Sequence, residues 1–285
     1  MKALLSKKMI AGAAAALSLF ATTGAQAAAT FPDFQVQRPD VAGTAGRFTA
    51  DKITGNYTEV ATFNTDGTFN VSLLWTAGQF VRNDGNTALP GAGTGLGNTY
   101  GLYATYTASG RVIQNGAVTT FLFTPGTGNL SLFLDRNNNT TTTLMGDPLY
   151  TAPISGSGAF TFDAALSSDD IVLATGKALT GEGNLNPTLS TCSNTNPNAI
   201  NCGSFGSTTS FNLTADGMNF FIDPRPFYNL SFQAGQLNNF TPTGTQVING
   251  SLDVVFGVPE PTSLGLLGLG LLGLGAAANR RKQAK

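Results

Sequence analysis

The chain has 285 residues, a formal net charge of −1, two cysteines and no histidine. The missing histidine removes Ser-His-Asp and Cys-His nucleophile systems, and histidine-based metal sites with them. Seven of the 15 basic residues lie in residues 1–27 and 258–285, against one of the 16 acids, so the segment between carries 8 basic and 15 acidic residues, a net of −7. It has no basic stripe, which excludes nucleic acid as a partner.

In chain order, Lys2, Lys7 and Lys8 precede an apolar stretch from Met9 to Phe20, and Ala25-Gln26-Ala27 forms a small-residue A-x-A site. This is the layout of a secretory signal peptide over residues 1–27, cut between Ala27 and Ala28. A retained N-terminal anchor is the alternative. Export implies an oxidising compartment, so Cys192 and Cys202 are expected to form a disulfide, with two free thiols as the alternative. Closing so short a loop contributes about 2–3 kcal/mol in the chain-entropy model.

Residues 28–47 read as irregular, with Pro32 and Pro39. From Phe48 onward, short apolar segments alternate with turn residues. Tyr57–Phe63 alternates at period two, Asp66-Gly67 marks a tight turn, and Phe69–Trp75 returns as a second strand. Residues 83–98 are glycine-rich and read as a long loop. A strand from Tyr100 to Ile113 meets Asn115-Gly116, a strong hairpin turn, and Val118–Phe123 follows. Asn129–Leu134, Ala159–Phe162, Ile171–Ala174, Ser210–Leu213, Asn219–Ile222 and Tyr228–Phe232 are further short strands. Asp163–Asp170 carries a weak helical signal, residues 181–208 read as a loop around the cysteines, and Asp223-Pro-Arg-Pro226 is a stiff break. Gln246–Ile248 and Leu252–Phe256 flank a second Asn-Gly pair, Asn249-Gly250, read as a turn. No mature segment sustains a 3.6-residue apolar period. The expectation is an all-β domain over residues 28–257, a sandwich or jelly-roll-like antiparallel fold.

Two polar stretches are candidates for chemistry. Leu134-Asp-Arg-Asn-Asn-Asn-Thr140 places a carboxylate near several amide oxygens, which suits calcium, but it lacks the further carboxylates and closing Glu of a calcium loop. A solvated loop without metal is the expected reading. Ser168-Asp-Asp170 offers paired carboxylates, but neighbours in a strand point apart, so a surface turn is expected rather than a glycosidase pair. Trp75 is read as core, while Phe31, Phe34 and Phe240 stand in polar surroundings as candidates for exposure. No catalytic residue, metal ligand or cofactor is assigned.

The last 28 residues have three parts in order. Pro259-Glu260-Pro261 is a rigid triplet, Leu264–Ala278 is an apolar run without charge, and Arg280, Arg281, Lys282 and Lys285 form a basic cluster. The prolines fix φ and bias their neighbours toward extended geometry. A helix over 262–278 would span about 25 Å, at the short end of the transmembrane range. The basic cluster would stay cytoplasmic. This order resembles the PEP-CTERM sorting signal of Gram-negative bacteria. The resemblance implies processing by an exosortase at Pro259, Glu260 and Pro261, transient anchoring in the inner membrane, and export to the outer surface or extracellular matrix.

The body is similar to the flocculation-associated PEP-CTERM proteins. Phe48–Tyr57, Val71–Phe80, Asn201–Phe205, Arg225–Phe232 and Ile248–Phe256 carry that resemblance. It implies a non-enzymatic role in holding cells and extracellular polysaccharide together. The alternatives are a secreted carbohydrate-active enzyme with paired carboxylates and a carbohydrate-binding module.

Overall fold

The computed structural model describes residues 31–142, 147–192, 202–234, 237 and 240–257. The strands run β1 (Phe34–Gln37), β2 (Arg47–Ala50), β3 (Lys52–Phe63), β4 (Thr68–Arg82), β5 (Thr87–Ala88), β6 (Gly101–Asn115), β7 (Val118–Phe123), β8 (Asn129–Asp135) and β9 (Tyr150–Thr151). They continue as β10 (Thr161–Phe162), β11 (Ile171–Gly176), β12 (Ala178–Leu185), β13 (Gly203–Thr209), β14 (Asn212–Leu213), β15 (Phe221–Asp223), β16 (Asn229–Ala234) and β17 (Gly244–Gly257).

The all-β expectation holds, but two facing sheets do not describe the arrangement. Strands β6-β7-β12-β13-β16-β17-β3-β4 pair in that order, and β4 pairs back onto β6, closing an eight-stranded antiparallel barrel. The closing strand is long enough to serve three neighbours. Its Gly101–Thr107 half pairs with β8 and its Gly110–Asn115 half pairs with β7, both along one edge, while β4 occupies the other edge. An arm of β8, β11 and β14 therefore branches from the barrel wall. Sandwich and barrel strands both bury one face, so period-two alternation cannot distinguish them.

Alternation decides which side chains face inward. On β3, Ile53, Tyr57, Ala61 and Phe63 are buried, while Asn56 points to solvent. On β4, Phe69, Val71, Leu73 and Trp75 fill the interior, and the Trp75 indole Nε1 donates to the Leu252 carbonyl of β17 at 2.8 Å. The interior is therefore filled mainly by side chains, as expected for eight strands.

One end is plugged by rings. β15, β1 and β2 form a separate three-stranded sheet, and Phe34 lies 4.8 Å from Phe256, with Phe221 and Phe227 at 5.8 and 5.1 Å from the same ring. Phe34, a candidate for exposure, is thus core, as is Trp75; Phe240 packs against the core, and Phe31 lies 5.8 Å below the Lys52 ammonium. A flap of β9 and β10 covers the outer face, where Phe160 packs with Val60, Leu74 and Tyr103.

Several local expectations are corrected. The region 181–208 contains most of two barrel staves, β12 and β13. Asn249-Gly250 is no turn; both residues sit mid-strand in β17, opposite Thr58 and Tyr57. Residues 28–47 include β1. Ala215–Phe220 is a short helix capped by the Thr214 side chain, so only the end of Asn219–Ile222 is strand. The helical signal at Asp163–Asp170 reduces to a 3-10 turn, Ser167–Asp169. Asp223–Pro224 and Arg225–Pro226, at the expected stiff break, are cis.

Candidate functional site

Three places carry chemistry: a pocket at one barrel end, an acidic cluster on the branching arm, and the C-terminal segment.

The pocket follows from the β3 alternation. Tyr57, Glu59, Ala61 and Phe63 share a face, so Glu59 enters the barrel with three apolar neighbours of its own strand. It pairs with Leu73 on one side and Ile248 on the other. Around it stand Phe63, Phe69, Phe121, Phe123, Phe205 and Phe240. The rings form one continuous wall, with Phe69–Phe123 centroids 5.2 Å apart, Phe123–Phe205 5.3 Å apart, and Phe240 stacked at 5.9 Å on both Phe63 and Phe121. They line a space of about 30 Å³, room for a water molecule, that opens to solvent. Glu59 makes no hydrogen bond or ion pair with a described residue. Burial pushes its carboxyl up to about 7. Burial also raises the phenols of Tyr57 and Tyr106, and the Glu59 charge adds to both effects.

Sequence reasoning passed over Glu59. The signal was there: within Tyr57–Phe63 it is the one charged residue on the apolar register.

The structure brings together the two polar stretches singled out in the sequence. Asp135, at the end of β8, and Asp169 and Asp170, just before β11, place their carboxylate oxygens within 4.8 Å of one another. Asp135 accepts from the backbone N–H groups of Asn139 and Thr140 at 3.1 and 2.8 Å. Asp169 accepts from the Asn137 N–H at 2.9 Å. Asp170 accepts from the Tyr103 hydroxyl at 2.5 Å and from the Thr140 hydroxyl at 3.0 Å. Burial raises the Asp170 carboxyl, and the hydrogen bonds from Tyr103 and Thr140 oppose that shift. Nearby, Asn139 Oδ1 is buried without a partner among the described residues. Carboxylates and an amide oxygen are donor types that suit a hard cation. Each carboxylate already accepts from the chain, however, and the network ties the 135–140 loop to the segment before β11. Its structural role is a staple.

Asp135→Ala is therefore expected to destabilise the domain by about 2–3 kcal/mol, because the buried Thr140 N–H loses its acceptor along with that of Asn139. Urea denaturation measures this, and an unchanged midpoint would show that the staple carries no load.

Cys192 and Cys202 form the expected disulfide, and Cys202 directly precedes β13. The signal-cleavage residues Ala25, Ala27 and Ala28 lie outside the described residues. So do the sorting residues Pro259, Glu260 and Pro261, the basic residues Arg280, Arg281 and Lys282, and the expected span 262–278. No helix among the described residues is long and apolar enough to cross a membrane. What is described is the junction: β17 ends at Gly257, two residues before Pro259.

No curated protein matches the chain, and no solved structure does. The C-terminal segment does match a family model. Residues 257–282 fit the PEP-CTERM protein-sorting motif, beginning on the last residue of the last barrel strand, and this supports an exported, exosortase-targeted surface protein.

Proposed function

We propose that the mature barrel is a non-enzymatic surface or matrix protein that supports cell aggregation together with extracellular polysaccharide. On this reading an exosortase severs it at Pro259-Glu260-Pro261. The observation behind the processing step is the junction: the last barrel strand ends at Gly257, and the sorting motif starts there. A cut at the prolines leaves every strand among the described residues intact. The net-acidic segment, the absent histidine and the body's resemblance to flocculation-associated proteins support the aggregation role.

Deleting the gene should abolish floc formation while polysaccharide synthesis continues. Restoring the wild-type gene should restore flocs, whereas a version with Pro259, Glu260 and Pro261 changed to alanine should not. Unchanged aggregation in the deletion strain would refute the role.

A further inference from the structure

The aromatic pocket has a composition that selects its occupant. Besides Glu59, its lining consists of six phenylalanines with Val71, Gly183, Leu237 and Ile248. Among the described residues, Glu59 is therefore the only hydrogen-bonding side chain there, and it is an acceptor when ionised. A carboxylate enclosed by hydrocarbon is costly unless a positive charge accompanies it. No inward-facing side chain of β4, β6, β7, β12, β13, β16 or β17 is cationic. The titratable groups near Glu59 are the phenols of Tyr57 on β3 and Tyr106 on β6, neither of which is cationic. Among the described residues, no side chain therefore offers the ionised Glu59 a positive charge.

The wall also discriminates among cations. A calcium or magnesium ion needs six or more oxygen ligands, and a single carboxylate, with no other oxygen-bearing side chain among the described lining residues, cannot supply them. An organic ammonium needs less. Its charge meets the carboxylate, its N–H or N–CH₃ groups rest against ring faces, and its hydrocarbon replaces water along the phenylalanines. Phosphate, sulfate and carboxylate ligands find no donor side chain among the described lining residues and meet a like charge.

We propose that the barrel end around Glu59 is a binding site for a small organic ammonium group, carried by a free amine or by an amine on a larger molecule. The space fits the ammonium head, and because it opens to solvent the attached carbon chain can run outward along the phenylalanines. The site's place in the fold keeps it accessible. Phe63 pairs with Gly244 at the pocket end of β17, whereas Gly257, from which the sorting motif continues, lies at the opposite end. The pocket therefore does not compete with processing, and the proposal is independent of the aggregation role.

The test uses the exported mature protein and three probes of equal length: n-butylammonium, n-butanol and n-butyrate. Calorimetric or saturation-transfer titrations at pH 8 should show n-butylammonium binding with a Kd of about 1 mM, and the other two at least about tenfold more weakly. Glu59→Gln should reduce n-butylammonium to the level of n-butanol. Binding of the ammonium should also weaken as the pH falls below about 7, where Glu59 takes up its proton. Equal affinity for butanol and butylammonium on the unaltered protein would overturn the proposal, as would the absence of binding at about 20 mM or an unchanged affinity in Glu59→Gln. The three-probe comparison needs no variant, so the outcome does not depend on how the variant folds.

Discussion

Glu59→Gln is expected to stabilise the barrel at pH 8 by about 2–3 kcal/mol, an unusual direction for a change on the inward face of a strand. The carboxyl is raised from 4.5 in the free side chain to about 7 in the barrel, with burial as the cause. A raised carboxyl means that the folded state holds the proton more tightly than the unfolded chain. The stability linked to that proton is fully present below pH 4.5 and is lost as the pH rises through 7. Glutamine keeps the shape and cannot ionise, so it removes this loss. Denaturant midpoints at pH 5 and pH 8 measure the effect. The wild type should lose stability between the two pH values relative to Glu59→Gln, with the variants close together at pH 5. Parallel pH profiles would mean that the carboxylate is solvated in the folded state.

A chain ending at Thr243 is expected not to fold, whereas one ending at Gly257 is expected to fold like the mature protein. β17 pairs with β16 on one edge and with β3 on the other, so it closes the barrel. It buries Ile248, Leu252, Val254, Val255 and Phe256. At roughly 1.5–3 kcal/mol per buried side chain, those five together match the total stability of a typical domain, about 5–15 kcal/mol. Their loss would also leave Trp75 without its acceptor and expose two unpaired strand edges. The longer chain retains all of this. Circular dichroism and thermal unfolding of the two chains decide the point. A cooperative transition in the Thr243 chain would show that the barrel does not need its last strand.

The sequence revealed most of the strands and little of their closure. Tyr57–Phe63 and Phe69–Trp75 carry clean alternation, and they pair as the hairpin that the Asp66-Gly67 turn suggests. β12 and β13 were illegible because most of their inward positions, Gly181, Gly183, Ser207 and Thr209, are small or polar. A side chain at Gly181 would come within 2.9 Å of the Phe123 ring, so the strand supplies space rather than bulk. The same logic hid β17. Gly250 faces the Tyr57 ring, where a Cβ would stand at 2.9 Å, and Asn-Gly reads as a turn although the glycine serves close packing.

At the candidate sites, the sequence offered Asp135 and Asp169–Asp170 separately. Their meeting depends on β8 pairing with β11, a contact with no local signature. Glu59 was visible as a misfit on an apolar face, but what surrounds it comes from six strands, its own included, and from Leu237 and Phe240 between β16 and β17. The C-terminal order of prolines, apolar run and basic cluster needs no tertiary context, which is why it was readable directly.

The proposed cut at Pro259-Glu260-Pro261, two residues beyond the last barrel strand, has one direct measurement: the intact mass of the exported protein. The expected chain starts at Ala28, ends between Val258 and Pro261, and retains the Cys192–Cys202 bond. Extracellular protein whose mass still includes Leu264–Lys285 would contradict it.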